Sequence, residues 1–141
     1  MLSGETTVGK YPVRCVEQLV EIAEITEAIP GLSFSDDLIC DNDKQHLAVT
    51  AVNLAESLGA AGIVVITRRG YMADYVTNCR PNKTRIYAFT NDSQTRRRLI
   101  LNRNLSAFRT AFSREPEKTL QTAFDVLLNR ENFSAGDKVV V

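Results

Sequence analysis

The sequence predicts an α/β protein with three layers, in which helices cover both faces of a mainly parallel sheet of about four strands. From residue 62 onward, short β-branched runs alternate with stretches whose apolar residues recur at helical spacing. Glycine, proline and capping residues stand at the boundaries between these stretches. A strand that alternates with a helix predicts parallel pairing, and two additional helices precede this alternation.

The first predicted helix begins at Pro12, whose missing N–H is tolerated in a first helical turn. Its apolar residues recur at helical spacing up to about Ala28, and they are Val13, Val16, Leu19, Val20 and Ala23. Pro30 and Gly31 end this helix. Residues 30–42 are enriched in Ser, Asp and Asn, which predicts a linker.

A second helix follows the linker. Asp41 or Asn42 caps its first turn, and Gly59 closes it. Its predicted apolar stripe consists of Leu47, Ala51, Leu54, Ala55 and Leu58.

The remaining elements alternate. Gly62–Thr67 contains a continuous β-branched run, which is typical of a strand that is buried on both faces. It is followed by a helix over Gly70–Asn78, a strand over Ile86–Thr90, a helix from Asn91 or Asp92 to about Leu101, and a weaker strand over Ser106–Arg109. Pro116 opens a helix with Leu120, Ala123, Phe124, Leu127 and Leu128 on one face, and the last strand covers Lys138–Val141.

Composition indicates an ordinary globular chain. Of 141 residues, 44% are hydrophobic and 24% charged, and 17 basic residues balance 17 acidic ones. Because the formal net charge is zero, we expect neither nucleic acid nor an anionic membrane as a partner. There is no apolar run of about 18 residues and no signal-peptide pattern, and the three cysteines are widely spaced, so we expect a reducing, cytoplasmic location.

Two loops leave the carboxyl ends of predicted strands, where parallel sheets bind ligands. The first contains Thr67, Arg68, Arg69, Gly70, Tyr71 and Met72, and the second is Thr90–Ser93. A hydroxyl, two guanidinium groups and a glycine before a helix suit a phosphate group. Two solvated arginines beside a tight turn would give the same pattern, and the residues alone leave both interpretations open.

Three other groups of residues favour structural explanations. Arg96–Arg98 and Arg103 point in different directions around a helix, so they indicate a solvated face with ion pairs. His46 lacks a nucleophile or carboxylate pattern around it. The acidic residues Asp36, Asp37, Asp41 and Asp43 lack the glycine and final glutamate of a calcium loop, so no metal site is predicted.

The opening residues, MLSGETTVGKYP, place Gly4 four residues before Gly9 and Lys10, which is part of a phosphate-binding P-loop. Tyr11 stands where that loop needs a hydroxyl, and only three residues precede Gly4, so we reject this interpretation. As written, the segment resembles the one that follows the last barrel strand of pyruvate kinase, which usually has Ala-Lys in place of Thr7 and Val8. The stretches 48–81, 86–90 and 136–140 are similar to the C-terminal domain of the same family.

This resemblance implies that residues 1–29 are the end of a (β/α)8 barrel with its final helix, and that 43–141 are the C-terminal α/β domain, truncated before its last strand. The parent would transfer a phosphoryl group from phosphoenolpyruvate to ADP with Mg²⁺ and K⁺. The family's phosphate-binding lysine and metal ligands lie in parts of the barrel that this sequence lacks. Ser3 and Glu5 would be remnants of the active-site rim, so we expect a fragment that is inactive alone.

The resemblance also implies a homotetrameric parent and a regulatory role. Members activated by sugar phosphates have a loop similar to Thr-x-Ser-Gly-x-Thr, which this chain matches at Thr67 and Gly70 but not at Arg69 and Met72. Our hypothesis is therefore a phosphorylated effector other than fructose 1,6-bisphosphate. The alternative is a stand-alone α/β module that binds a small phosphorylated metabolite.

Overall fold

A parallel sheet of four strands lies at the centre of the larger part of the chain in the computed structural model, which describes residues 2–29 and 38–141. The strands are β1 (Gly62–Ile66), β2 (Arg85–Thr90), β3 (Leu105–Arg109) and β4 (Val139–Val140). Their order is β3-β2-β1-β4, and every pairing is parallel. The predicted parallel sheet of about four strands is therefore confirmed.

The helices are α1 (Gly4–Thr7), α2 (Pro12–Glu27), α3 (Asp43–Leu58), α4 (Tyr71–Asn78), α5 (Ser93–Leu99) and α6 (Pro116–Arg130). Contacts divide the chain into two compact units, Met1–Asp37 and Leu38–Val141. The short helix α1 is the only described helix that the sequence did not predict. Of the predicted linker over 30–42, residues 30–37 lie outside the described part of the chain.

Local chemistry explains where the helices begin and end. The side chain of Asn42 accepts a hydrogen bond from the Gln45 amide at 3.1 Å, which caps α3, and Asp92 caps α5 in the same way through Thr95. Gly59 ends α3 in the left-handed conformation at φ 59°. Pro12 and Pro116 occupy the first turns of α2 and α6.

Side chains that alternate along β1 and β2 form two cores, one on each face of the sheet. On one face, Ile63, Val65, Ile86 and Ala88 pack with buried residues of α3 and α4 and with Leu99 of α5. On the other face, Val64, Tyr87 and Phe89 pack with Ala123 and Leu127 of α6. This arrangement confirms the predicted three layers.

Aromatic rings fill the second face. Phe89 is fully buried and stacks on Phe108 with ring centroids 5.2 Å apart, and burial of such a side chain contributes about 1.5–3 kcal/mol. Tyr87 meets Phe133 edge to face, also at 5.2 Å. A Cβ atom at Gly62 would lie 2.6 Å from the Tyr87 ring, so glycine is required for the ring to cross the start of β1.

The face that α3 presents to the core differs from the prediction. The buried residues are Ala48, Val52 and Ala55, whereas Leu47, Leu54 and Leu58 are 60%, 47% and 46% exposed. Small side chains allow α3 to pack closely against its neighbours in the core, and this places the bulky leucines on the outside. On α6, Leu128 of the predicted apolar face is likewise exposed, while Ala123 and Leu127 are buried.

The first unit contains only α1 and α2 among its described residues. No residue of either helix is buried, and the predicted apolar stripe of α2 is exposed, including Val13 and Val20. None of the described helices is both long and apolar enough to cross a membrane.

Candidate functional site

The two loops predicted to bind a ligand meet at the carboxyl end of the sheet. Thr67 follows β1 and donates its amide hydrogen to the Phe89 carbonyl of β2 at 2.9 Å. The Thr90 hydroxyl donates to the Arg68 carbonyl at 3.2 Å. Parallel pairing of β1 with β2, in the register Ile66 to Phe89, brings the loops together.

A tight turn connects β1 to α4. The Thr67 hydroxyl accepts a hydrogen bond from the Gly70 amide at 2.9 Å, and Gly70 adopts φ 85°. Gly70 is the N-cap residue of α4, so no side chain caps this helix. The amides of the first turn are therefore directed towards the loop side, as in helix N-termini that bind anions.

Arg98 of α5 fixes this turn from outside the loop. Its Nη2 donates to the Arg69 carbonyl at 2.8 Å, and its Nη1 forms an ion pair with Asp74 at 2.8 Å. The Asn102 amide donates to the second oxygen of Asp74 at 2.9 Å. A surface ion pair stabilises a protein by only about 0–1 kcal/mol, so the main consequence of this network is the position of the loop.

Sequence reasoning assigned Arg98 to a solvated helix face with ion pairs. The ion pair with Asp74 confirms that assignment, but the bond to the Arg69 carbonyl was missed. Since Arg98 and Asp74 belong to different helices on neighbouring βα units, no local spacing could have revealed the contact.

The six loop residues have different surroundings. Thr67 and Gly70 form the turn, whereas Arg68, Arg69 and Tyr71 are exposed. Met72 is partly buried against the core, so its side chain serves packing. Among the residues that the structure describes, neither Arg68 nor Arg69 forms an ion pair.

Asp92 adds a negative charge at the carboxyl end of the sheet, where the two loops meet. The Thr95 amide and hydroxyl, and then the Arg109 charge, lower the pKa of Asp92 below its usual value, so the carboxylate is ionised near neutral pH. Arg109 lies at the end of β3 and pairs in register with Thr90. This end of the sheet therefore presents the guanidinium groups of Arg68, Arg69 and Arg109 together with the Asp92 carboxylate, and the excess of positive charge favours an anionic ligand.

Ser3 and Glu5 belong to the first unit. The Ser3 amide donates to the Glu5 carboxylate at 2.8 Å, and hydrogen bonds from backbone amides lower the pKa of Glu5. Both residues are exposed; Ser3 is the N-cap residue of α1 but makes no side-chain capping hydrogen bond, and Glu5 lies in the first turn.

No group of three or more His, Cys, Asp or Glu side chains within residues 2–29 and 38–141 is arranged to hold a metal ion. Asp36 and Asp37 lie outside the described residues.

Comparison with known proteins gives a consistent result. Residues 45–141 match the family model described as the pyruvate kinase alpha/beta domain. The chain is 30% identical to pyruvate kinase isozyme A, chloroplastic, of Ricinus communis, over 99% of this chain and 25% of that protein. It is 32% identical to the chloroplastic isozyme G of Nicotiana tabacum, over 100% of this chain and 25% of that protein.

A solved structure of a pyruvate kinase from Cryptosporidium parvum superimposes with a TM-score of 0.85 at 22% identity, covering 99% of this chain and 29% of the other. That similarity shows the fold. The chain spans about a quarter of the length of the relatives that it matches.

We predict that Gly70→Ala destabilises the protein more than Gly59→Ala. Both glycines have positive φ, at 85° and 59°, so both variants incur backbone strain of about 1–2 kcal/mol. A Cβ at Gly70 would also meet the Arg98 guanidinium, and it would lie 3.2 Å from Leu99 and Thr95, whereas nothing lies within 4 Å of Gly59. Crowding should add about 1–3 kcal/mol, measured as the difference in free energy of unfolding in urea. Equal losses in the two variants would show that the loop does not pack as described.

Proposed function

This chain belongs to the pyruvate kinase family, and from that premise we propose that residues 43–141 are the regulatory and subunit-contact domain of a pyruvate kinase. The full-length enzyme would transfer a phosphoryl group from phosphoenolpyruvate to ADP in glycolysis. The match of residues 45–141 to the alpha/beta domain is the observation that carries this proposal. Residues 1–29 would end the catalytic barrel, and 30–42 would connect the two domains.

The catalytic chemistry would belong to the rest of the parent protein. Phosphoryl transfer depends on metal ions and cations that neutralise the charge of the transferred group. Mg²⁺ and K⁺ would serve this role in the parent, and the resemblance places their ligands in earlier parts of the barrel. Ser3 and Glu5, which are joined by one hydrogen bond from the Ser3 amide to the Glu5 carboxylate, would be remnants of the active-site rim, as the resemblance implies.

We predict that the purified 141-residue chain forms no pyruvate from phosphoenolpyruvate and ADP. The reason is that the chain spans about a quarter of the length of its relatives, and the resemblance places the phosphate-binding lysine and the metal ligands in the remainder. A coupled assay with Mg²⁺ and K⁺ measures this, and a full-length pyruvate kinase serves as the positive control. Pyruvate formation that rises in proportion to the chain concentration would contradict the proposal.

Phosphate recognition at the loop after β1 is the proposed regulatory function. The exposed Arg68 and Arg69, the uncapped first turn of α4 and the nearby Arg109 together provide charge and backbone donors for an anion. Arg69 and Met72 replace the hydroxyl residues of the sugar-phosphate-activated loop. The ligand would therefore be a phosphorylated metabolite recognised mainly through charge-assisted hydrogen bonds from guanidinium groups.

We predict that Arg69→Ala weakens binding of that ligand about 10-fold to 100-fold, the loss expected for one charge-assisted hydrogen bond. The substitution leaves the backbone carbonyl at position 69, to which Arg98 donates a hydrogen bond, so the loop should retain its conformation. Calorimetry with a panel of sugar phosphates and with inorganic phosphate measures the effect.

Arg97→Ala is the matched control, because Arg97 is an exposed arginine of α5 outside the loop. Equal loss in both variants would indicate that only the overall charge matters. Absence of binding to every compound in the panel would refute the phosphate site.

Self-association is the second proposed role of this domain, and the parent would be a homotetramer. Leu47, Leu54 and Leu58 are exposed on α3 and flank the partly exposed Ala51. Leu47, Ala51, Leu54 and Leu58 are spaced by four, three and four residues, so they form a continuous apolar strip along one side of the helix. We call this strip the leucine seam. A second copy of this chain would bury such a seam, as is typical of subunit interfaces.

We predict that Leu54→Asp weakens self-association of the chain at least about 10-fold, because a charge would be buried without a partner. Sedimentation measured over a range of concentrations detects the change. Asn53→Asp adds the same charge at an exposed position of α3 away from the leucine seam, and it should leave association unchanged. A chain that is monomeric at every concentration, or equal effects of both variants, would contradict this role.

We propose the cytoplasm as the location. The three cysteines are free thiols, which persist in reducing compartments. The plant relatives are chloroplastic by name. Imaging of the tagged parent protein in its own cells distinguishes cytoplasm from plastid.

A further inference from the structure

Two of the three cysteines share one small cavity. Cys40 and Cys79 both line a cavity of about 50 Å³ in the second unit, whereas Cys15 lies on α2 in the first. The other walls are mostly apolar and consist of Leu38, Ile39, Gln45, Val49, Tyr75 and Asn78. Cys79 is buried, and Cys40 is partly exposed.

The packing of α3 against α4 brings these thiols together. Cys40 lies just before α3, where the Asp41 amide donates to the Gln45 side chain at 2.6 Å. Cys79 follows α4, and its Sγ donates to the Tyr75 carbonyl at 3.3 Å. The start of one helix therefore faces the end of the other across the cavity.

The two sulfur atoms also influence each other electrostatically. Burial raises the pKa of the Cys79 thiol, and the charge of a Cys40 thiolate raises it further. Cys79 is thus held as a neutral thiol, while the more exposed Cys40 is the one that meets a solute first.

We propose that Cys40 and Cys79 form a reversible disulfide when the chain meets hydrogen peroxide. In the first step the Cys40 thiolate attacks the peroxide, an S–O bond forms, the O–O bond breaks, and the departing hydroxide takes a proton and becomes water. In the second step Cys79 loses its proton and its sulfur attacks the Cys40 sulfur. An S–S bond forms, the S–O bond breaks, and the departing hydroxide takes up a proton as the second water.

Overall, two thiols and one molecule of hydrogen peroxide give one disulfide and two molecules of water. Cys40 lies outside any helix or strand, so it can approach Cys79 without loss of a helical hydrogen bond. The bond would fasten the start of α3 to the end of α4 and close a loop that includes β1. Oxidation would then restrict the helix that carries the leucine seam.

The test uses the full chain treated with hydrogen peroxide, followed by mass spectrometry without reduction. The expected result is an intact mass lower by two hydrogen atoms and one cross-linked peptide that contains Cys40 and Cys79. Cys15 should remain open to alkylation, and dithiothreitol should restore the other two thiols. The melting temperature should rise by about 5 °C or more on oxidation, because the cross-link constrains the unfolded chain.

Two variants make the result specific. Cys40→Ser should abolish the mass change, and Cys15→Ser should leave it intact. Cys40 is not buried, so its variant tests the pair even where Cys79→Ala fails to fold. A cross-link through Cys15, an unchanged mass loss in Cys40→Ser, or conversion of Cys40 to a sulfinic acid without a disulfide would each overturn the proposal.

Discussion

Parallel pairing of β1 with β2 is the constraint on which the rest of the second unit depends. Both strands are buried on both faces, so their alternating side chains define two cores and require a helical layer on each side. The same pairing places both carboxyl ends at one edge, where the Thr67 amide reaches the Phe89 carbonyl. The candidate site therefore follows from the register of the sheet rather than from any single motif.

The order and type of these elements could be predicted from the sequence because each depends on local chemistry. The β-branched run after Gly62 leaves little alternative to a buried strand, and Asn42, Gly59 and Asp92 mark helix ends through their own side chains or backbone. The two loops of the site were identifiable for a similar reason. In a parallel sheet, strand order alone determines which loops share an edge.

Other features depend on contacts between distant residues, and these the sequence could not reveal. On α3 the apolar residues form a broad face rather than a narrow stripe, so periodicity did not distinguish the leucines from the smaller Ala48 and Val52 that face the core. Met72 was assigned to the site from its place in the loop, yet its side chain packs inward. The Arg98 bond to the Arg69 carbonyl and the cavity shared by two cysteines both require α-helices that meet only in the folded chain.

The roles of the arginines separate positioning from recognition at the loop. Arg98 uses its guanidinium on Asp74 and on the Arg69 carbonyl, so its charge is balanced and its effect on the loop is geometric. The Arg68 and Arg69 side chains remain exposed, without an ion pair among the described residues, beside a helix start that no side chain caps. A hydroxyl in such a loop can donate one hydrogen bond to a phosphate, whereas a guanidinium group carries charge and can donate two parallel hydrogen bonds to it. Under the proposed function, Arg69 in place of the serine of such a loop would therefore offer an anion both charge and a planar pair of donors, where the hydroxyl offers a single hydrogen bond.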